Sequence, residues 1–576
     1  MPGRPRLAFL CALLASAPLA SALAQVDPYE DAQPTAPTPA PPTPAPPTPA
    51  PPHDDLRLDE IRQPPASLGE AAAPGDDSLL HQEIVSPWAA RPGGGAPAPP
   101  RSGATPAPEA EGAAESKARL RYALEGVELR GNTRTAARVI LRYVKFRGGD
   151  ILDVDDPEIE LTRYRLLGTG FFASVGLSLR KGAARGAATL VIDVVERNTF
   201  IVQNLWLGVA ADEDTAGNAR PLSAFTGVQV AETNLAGTGI TLGAGIGLAS
   251  DQLALRTHFV DPALAGTGWS ADVTVLYNDA RDFFGNRDVS FESPLLEQRE
   301  VTRYAVVAYK RFGATLGTGH DLGVSSQFSL GYHLEQVDAT VPTVASHLRG
   351  QTREPIQFDI LGGKTVLSSV RAGIYYDTRD TPFLATRGTF VSAAVTAGAP
   401  PLGSDYGYAR IELAAQRWIR LPFRRHVLRL EAFAGAIAGD APFFEQFYVG
   451  DFTDLLPDRL LDLAPDRRQP PNFLGTDIIE VRYGDFAAKL GAEYRIPLYT
   501  GRGSIYGVDL FAAVGLYSVA TRREITDPPS GYDGFARVPA DLTYNLGLRV
   551  DTNVGGVTLA FSNLLGLLPT RSGERR

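Results

Sequence analysis

The sequence predicts an all-β transmembrane barrel, preceded by a small α/β domain and, before that, a Pro-rich disordered segment. Three observations carry this. Segments that alternate apolar and polar residues repeat from about 199 to 567. The N-terminus has the layout of a secretory signal. After it, no run approaches the roughly 18–20 apolar residues of a membrane helix, and only helices and closed barrels satisfy every backbone polar group in lipid.

Residues 1–24 read as a signal peptide. Arg4 and Arg6 supply the positive start, 7–17 the apolar stretch, and Ala22-Leu23-Ala24 a small-x-small cleavage site. The single cysteine, Cys11, lies inside it, with Leu10 where a lipoprotein needs a small residue. The mature chain then lacks cysteine, which excludes disulfides and thiolate metal sites. Residues 25–117 are rich in Pro, Ala, Gly and acid, and Thr-Pro-Ala-Pro-Pro repeats in tandem at 38–42, 43–47 and 48–52. Such a segment buries little and is expected to be an extended tether, or a docking site for a periplasmic or cell-wall partner.

Residues 118–198 read as a small α/β domain. Tyr122, Leu124, Val127 and Leu129 make a first strand, and Gly131-Asn132 a turn. Thr135 is an expected helix N-cap, ahead of Val139, Ile140 and Tyr143 at helical spacing. A second helix is expected over 156–167, with Pro157 in its first turn. Strands over 171–179 and 188–196 follow, with Arg185-Gly186 near the turn.

In the barrel region, 199–567, two-residue alternation is plain. Leu542, Tyr544, Leu546, Leu548 and Val550 oppose Thr543, Asn545, Gly547 and Arg549. Leu322, Val324, Phe328, Leu330, Tyr332 and Leu334 oppose Gly323, Ser325, Gln327, Ser329, Gly331 and His333. Val557, Leu559 and Phe561 oppose Thr558, Ala560 and Ser562. A charge on the lipid face costs roughly 2–4 kcal/mol at mid-membrane, so Arg410, Glu412 and Arg549 are expected to point inward. A soluble sandwich or propeller also alternates; the secretory start, the long strands and the lack of covering helices weigh against it. Residues 568–576 form a polar tail.

Four segments of the α/β domain carry a family resemblance. They are 126–133 (Gly-Val-Glu-Leu-Arg-Gly-Asn-Thr), Gly149-Asp150, Leu167 with Gly170-Phe171-Phe172 and Val175, and Val194-Val195-Glu196-Arg197. Together they closely resemble a POTRA domain, the periplasmic module of the superfamily that contains BamA, TamA and the two-partner-secretion transporters. The region after it is similar to that superfamily's barrel. The matching motifs are Asn234-Leu235-Ala236-Gly237-Thr238-Gly239, Asp261-Pro262 with Leu264 and Gly266, and Tyr376-Asp377-Thr378-Arg379-Asp380-Thr381-Pro382 with Arg387-Gly388. Pro442-Phe443-Phe444-Glu445 with Phe447, and Glu493-Tyr494-Arg495 with Pro497-Leu498, bracket its sixth loop.

The resemblance implies about 16 antiparallel strands, although fifteen strand-like segments are countable. It also implies a sixth loop whose Arg-Gly-aromatic tip pairs with acids on the lumen wall. No such tripeptide stands in 450–486; Arg482, in Val481-Arg482-Tyr483-Gly484, and Arg459 are the alternative loop-plug candidates. Ala385 replaces a usual proline.

Net charge is −10 without a basic run of nucleic-acid type. Enzyme signatures, metal-ligand spacing and cofactor motifs are not found; Gly237, Gly239, Gly243, Gly245 and Gly247 read as small residues in barrel strands rather than a phosphate loop. Asp212-Glu213-Asp214 misses the calcium-loop pattern. Asp377, Arg379, Asp380 and Gly388 are read as a wall or turn network.

The resemblance therefore implies no enzyme. It implies a protein of the bacterial outer membrane, N-terminal region in the periplasm, that inserts or translocates client polypeptides. Its expected working parts are an edge strand of the small domain (Phe171, Phe172, Val175, Leu177, Leu179) and a barrel seam (Leu205 and Leu207 against Val557, Leu559 and Phe561). The alternative is a pore for one dedicated secreted partner.

Overall fold

In the computed structural model the described residues are 121–562, without 211–222, 286–288, 292–299, 382–383, 454–458, 466–471 and positions 303, 324, 343, 424 and 502. All belong to one compact unit that starts at Asp76. The expected signal peptide, Pro-rich segment, acidic triplet at 212–214 and polar tail lie outside the described residues.

Residues 121–196 form one four-stranded sheet with two helices. Its strands are β1 (Arg121–Arg130), β2 (Ile151–Asp153), β3 (Phe172–Lys181) and β4 (Ala187–Glu196), in the order β2-β1-β4-β3. Leu124, Leu190, Ile192 and Val175 face Val139 and Ile140 of helix α1 (Ala137–Leu141) and Ile159 and Leu166 of helix α2 (Pro157–Gly168). Helix α2 starts where Pro157 allows it: Pro lacks only an N–H that would have no partner there, and Asp156 accepts from the Glu158 N–H at 2.8 Å.

Thr135 does not cap α1. The N-cap position is Ala136, which makes no side-chain cap bond. The Thr135 hydroxyl is taken instead by Asn234 Nδ2 at 2.9 Å, a residue of the first barrel hairpin, so a tertiary contact overrides the local one. Phe171 falls just before β3, and β3 runs two residues past Leu179.

Fifteen strands then form one antiparallel sheet in chain order. They are β5 (Phe200–Ala210), β6 (Ser223–Leu235), β7 (Ile240–Ala249), β8 (Gln252–Asp261), β9 (Trp269–Phe284), β10 (Ala305–Asp321), β11 (Ser326–Thr340), β12 (Gly363–Asp377), β13 (Gly388–Gly398), β14 (Gly407–Arg420), β15 (Val427–Asp440), β16 (Phe486–Thr500), β17 (Ile505–Ala520), β18 (Ala540–Thr552) and β19 (Gly555–Ser562). The sheet curls until β19 comes back beside β5, where the Val202 N–H donates to the Val554 carbonyl at 2.7 Å. The described residues thus hold fifteen strands, not the sixteen that the resemblance implies; β19 runs to Ser562, and 563–576 lie outside the described residues. Leu322 stands in the turn before β11, not within the strand, so the alternation there starts at Ser326.

Alternation does what lipid requires. Leu207 and Leu559 are 71% and 64% exposed on the outer face, while Arg549 pairs with Glu493 at 2.6 Å and Arg410 with Glu412 at 2.6 Å on the inner one. Short turns lie at the α/β-domain end: Ala136 N–H donates to Gly237 O at 2.9 Å, and Arg142 pairs with Asp321 at 2.6 Å. The opposite rim carries longer loops, including a four-stranded sheet of 289–291, 300–302, 345–349 and 352–355.

Glu196 holds the α/β domain's contact segment in place. Burial pushes its carboxyl up, but the N–H of Thr135 (2.6 Å), the Thr133 hydroxyl (2.7 Å) and the Arg134 N–H outweigh that and bring its pKa down to about 2. A carboxyl lowered by folding stabilises at pH above its unfolded value, about 4.3, and that stability is lost as pH falls through the folded value. Acidification from pH 5 to 2 is therefore expected to loosen 133–136, with faster amide exchange there; the Glu196→Gln variant should lack this step.

Candidate functional site in the barrel lumen

Between β15 and β16, the described residues of 441–485 turn back into the barrel. Phe443, Phe444, Phe447, Tyr448, Leu460 and Tyr483 are buried in one cluster with the strand residues Phe284, Tyr309, Val337, Leu367 and Tyr517. The wall makes room with missing side chains. A Cβ on Gly227 would lie 2.4 Å from Leu460 Cδ1, and one on Gly247 2.9 Å from Leu460 Cγ. Gly227 of β6 and Gly245 and Gly247 of β7 are thus a floor for the loop; Gly237 and Gly239, read above as strand residues, stand in the turn between β6 and β7 instead.

At this floor the chain makes a tight hairpin. Leu460 and Leu463 exchange two backbone hydrogen bonds, each 3.0 Å. Leu461 and Asp462 between them have φ of 50° and 71°. Positive φ at both central residues is the pattern of a type I′ turn, which bulky residues adopt only when their surroundings hold them. Here the Asn278 side chain donates to Leu461 O at 2.9 Å, and Asp462 accepts from Arg256 at 2.5 Å. Arg311 lies 3.6 Å from the same carboxylate, is paired with Glu335, and stacks 4.0 Å over the Phe444 ring. His333 completes this group through Glu335 at 2.9 Å.

A second contact has the opposite polarity. Asp282, 1% exposed at the end of β9, accepts from the Tyr483 hydroxyl and lies 3.4 Å from Arg482 Nε. Of the two loop arginines, Arg482 thus reaches a wall acid, whereas Arg459 turns into the loop itself. Its guanidinium donates to Phe444 O at 2.8 Å and Gln446 O at 3.0 Å and lies over Tyr448 and Tyr483. Asp462 escaped notice in the sequence. The only signal was a lone acid among leucines, Leu460-Leu461-Asp462-Leu463.

The other candidate residues stand elsewhere. Asp377 ends β12 and holds Arg379 at 2.7 Å; Asp380 accepts from Thr386 N–H at 2.8 Å and its hydroxyl at 2.6 Å. Arg379 also faces the Phe390 and Trp418 rings, and the backbone at Gly388 closes on Thr378 at φ +115°. Arg495 donates to Ala385 O in the same turn. This turn touches the α/β domain, where Arg387 meets the Tyr164 hydroxyl at 3.4 Å. Between domain and lumen lies a cavity of about 820 Å³, lined by Arg142, Tyr164, Gln203, Asp272, Tyr375 and Arg379 among others.

Strand β3 is an edge of its sheet; Phe171, Phe172 and Val175 are buried in the domain core, with Leu177 and Leu179 packed against it. Arg163 of α2 donates to Val175 O at 3.1 Å. At the barrel's own edges Leu205, Leu207, Val557, Leu559 and Phe561 face outward. There β5 and β19 meet near the α/β domain. Arg197 pairs with Asp551 at 3.1 Å and donates to Thr552 O at 2.9 Å, and Asn198 donates to Asn553 O at 2.8 Å.

A family model described as the Omp85 superfamily domain matches residues 234–563. The chain belongs to the Omp85 superfamily. This Omp85 chain is 21% identical over 374 residues to the outer membrane protein assembly factor BamA of Nitratidesulfovibrio vulgaris, a match covering 62% of this chain and 40% of that one. It thus spans less than half of the relative's length. Among solved structures it is similar to BamA from Haemophilus ducreyi lacking POTRA domains 1–3 (14% identity, 77% of this chain and 81% of that chain, TM-score 0.40). CdiB from Escherichia coli is likewise similar (13%, 77% and 73%, TM-score 0.45).

Proposed function

We propose that this Omp85 protein inserts client polypeptides into the outer membrane, templating them at its seam. The single observation that supports this is the join between β5 and β19. Every other neighbouring pair in the barrel has a register of paired residues; among the described residues β5 and β19 have none, only the fastening beside the α/β domain. Exposed N–H and C=O groups on two such edges are a template for an added strand.

In this reading 118–198 is a POTRA module in the periplasm and β3 captures extended clients by β-augmentation. The preceding 25–117 is a tether behind a cleaved signal peptide. Arg482 and Asp462 keep the sixth loop in the lumen, and the loop's aromatic core favours the seam over the lumen as the client's route.

The test uses engineered disulfides, simple in a chain whose one cysteine is Cys11. Counting along both strands from the Val202–Val554 bond brings Leu205 level with Val557 and Leu207 level with Leu559. Oxidised Leu207→Cys/Leu559→Cys protein in liposomes is expected to lose client insertion and regain it on reduction. Unchanged insertion when locked would falsify the seam route. Loss of a single secreted protein on depletion, with outer-membrane proteins intact, would favour the dedicated secretion pore.

A further inference from the structure

On the described part of the outer wall, Arg417 is a charge that its neighbours do not neutralise. At the rim far from the α/β domain, outward charges alternate in sign across four strands: Asp279, Lys310, Asp338 and Lys364 stand in register, and Lys310 meets Asp279 at 3.0 Å. Arg417 on β14 is different. It is level with Thr389 on β13 and Leu430 on β15; two residues along these strands the outward neighbours are Val391, Ala415, Ile419, Leu428 and Ala432. Its guanidinium donates to the Thr389 hydroxyl, and among the described residues it pairs with no carboxylate.

Arg417 stands at the end of a groove of about 640 Å³ in the same wall. Two cross-strand rows shape it. One runs Arg417, Leu430, Ala492, Val514; the other runs Ala415, Ala432, Leu490, Leu516, Leu542. The alanines form the trough, and Leu430, Leu490, Val514 and Leu516, all exposed, form its sides. Arg417 is three residues from the strand end at Arg420, about 10 Å along a strand rising roughly 3.3 Å per residue. The barrel strand's tilt lowers that height further, and a long arginine side chain extends toward the headgroups. The guanidinium is thus at headgroup depth on the α/β-domain side, with a hydrocarbon-sized trough beside it.

We propose that this groove binds one anionic glycerophospholipid from the leaflet on the α/β-domain side. Its phosphodiester sits on Arg417 and the Thr389 hydroxyl, and an acyl chain lies over Ala415, Ala432 and Ala492. Charge complementarity selects this occupant: the groove is apolar except at one end, and that end is an arginine whose row holds no acid. The lipid supplies the missing carboxylate's part, and its tail fills wall space that the small side chains leave open.

Native mass spectrometry of the purified full chain tests this, with phosphatidylglycerol and phosphatidylcholine of identical acyl chains. One basic residue near a membrane surface favours an anionic headgroup by roughly fivefold, and wild-type protein is expected to retain one phosphatidylglycerol with that preference. Arg417→Gln should remove the preference and Arg417→Lys keep most of it. Ala432→Leu, which fills the trough and leaves the arginine, should lower retention of both lipids. Heat-modifiable migration on gels verifies that each barrel is folded, and Ala415→Leu replaces Ala432→Leu if the latter is not. Equal retention of the two lipids by wild type, or an Arg417→Gln protein that keeps the preference, overturns the site. Displacement of the lipid by millimolar inorganic phosphate shows a free-anion site and also overturns it.

Discussion

Asp282→Ala is expected to release the lumenal loop. The carboxylate is almost wholly buried, accepts from the Tyr483 hydroxyl and faces Arg482. Removing one partner of a buried ion pair costs 3–5 kcal/mol because the other charge stays behind. About 3 kcal/mol is the fitting figure here, since a fifth of the Arg482 side chain is reached by solvent. The docking equilibrium constant should then fall by roughly two orders of magnitude at that cost. Protease cleavage within 441–485 should rise, together with current through single barrels in planar bilayers. Tyr483→Phe removes only a hydroxyl from the same place, leaves both charges, and should have a smaller effect, about 1.5–2 kcal/mol. If both variants behave like wild type, the Asp282 contacts do not hold the loop.

The second large effect is expected at Gly237, where the barrel touches the α/β domain. Its φ of +71° is open to glycine and strained for other residues, and a Cβ there would lie 1.8 Å from the Arg134 carbonyl. Neither atom has room to move: Gly237 O accepts from the Ala136 N–H, and Asn234 three residues earlier holds both Thr135 and the Gly239 N–H. Gly237→Val should cost about 3 kcal/mol or more and undock the α/β domain without unfolding the barrel. Limited proteolysis near 197–199 should accelerate while heat-modifiable migration is kept. Loss of the folded barrel in this variant would show that domain and cylinder do not separate.

The wall of the cylinder was legible in the sequence because lipid imposes one rule on every strand. Leu542 to Val550 alternate as the pleat demands, and Arg410, Glu412 and Arg549 turn inward, since outward charges are costly. Helix α2 was legible for a local reason, the Asp156-Pro157 start. What stayed hidden depends on partners far away in the chain. Thr135 resembles a cap until Asn234, nearly a hundred residues on, takes its hydroxyl. Asp462 gains meaning only from Arg256 and Arg311, and Gly227 and Gly247 only from Leu460. Arg459 and Arg482 were indistinguishable by type; Asp282 and the carbonyls of Phe444 and Gln446 separate them.

The hairpin at 460–463 also has a mechanical consequence. Its chain leaves the wall between β15 and β16, the eleventh and twelfth strands, yet its tip is seated on β6 and β7, the second and third. It is a strut across the diameter. Strands beside one lip of the cylinder are braced from the opposite side. At the other lip the same loop also holds β18, where Asp541 accepts from the Phe473 and Leu474 N–H and Thr543 donates to Thr453 O, but among the described residues β19 is paired along its length with β18 alone. Any widening should therefore begin by swinging the C-terminal lip outward, with the N-terminal lip standing still as the jamb.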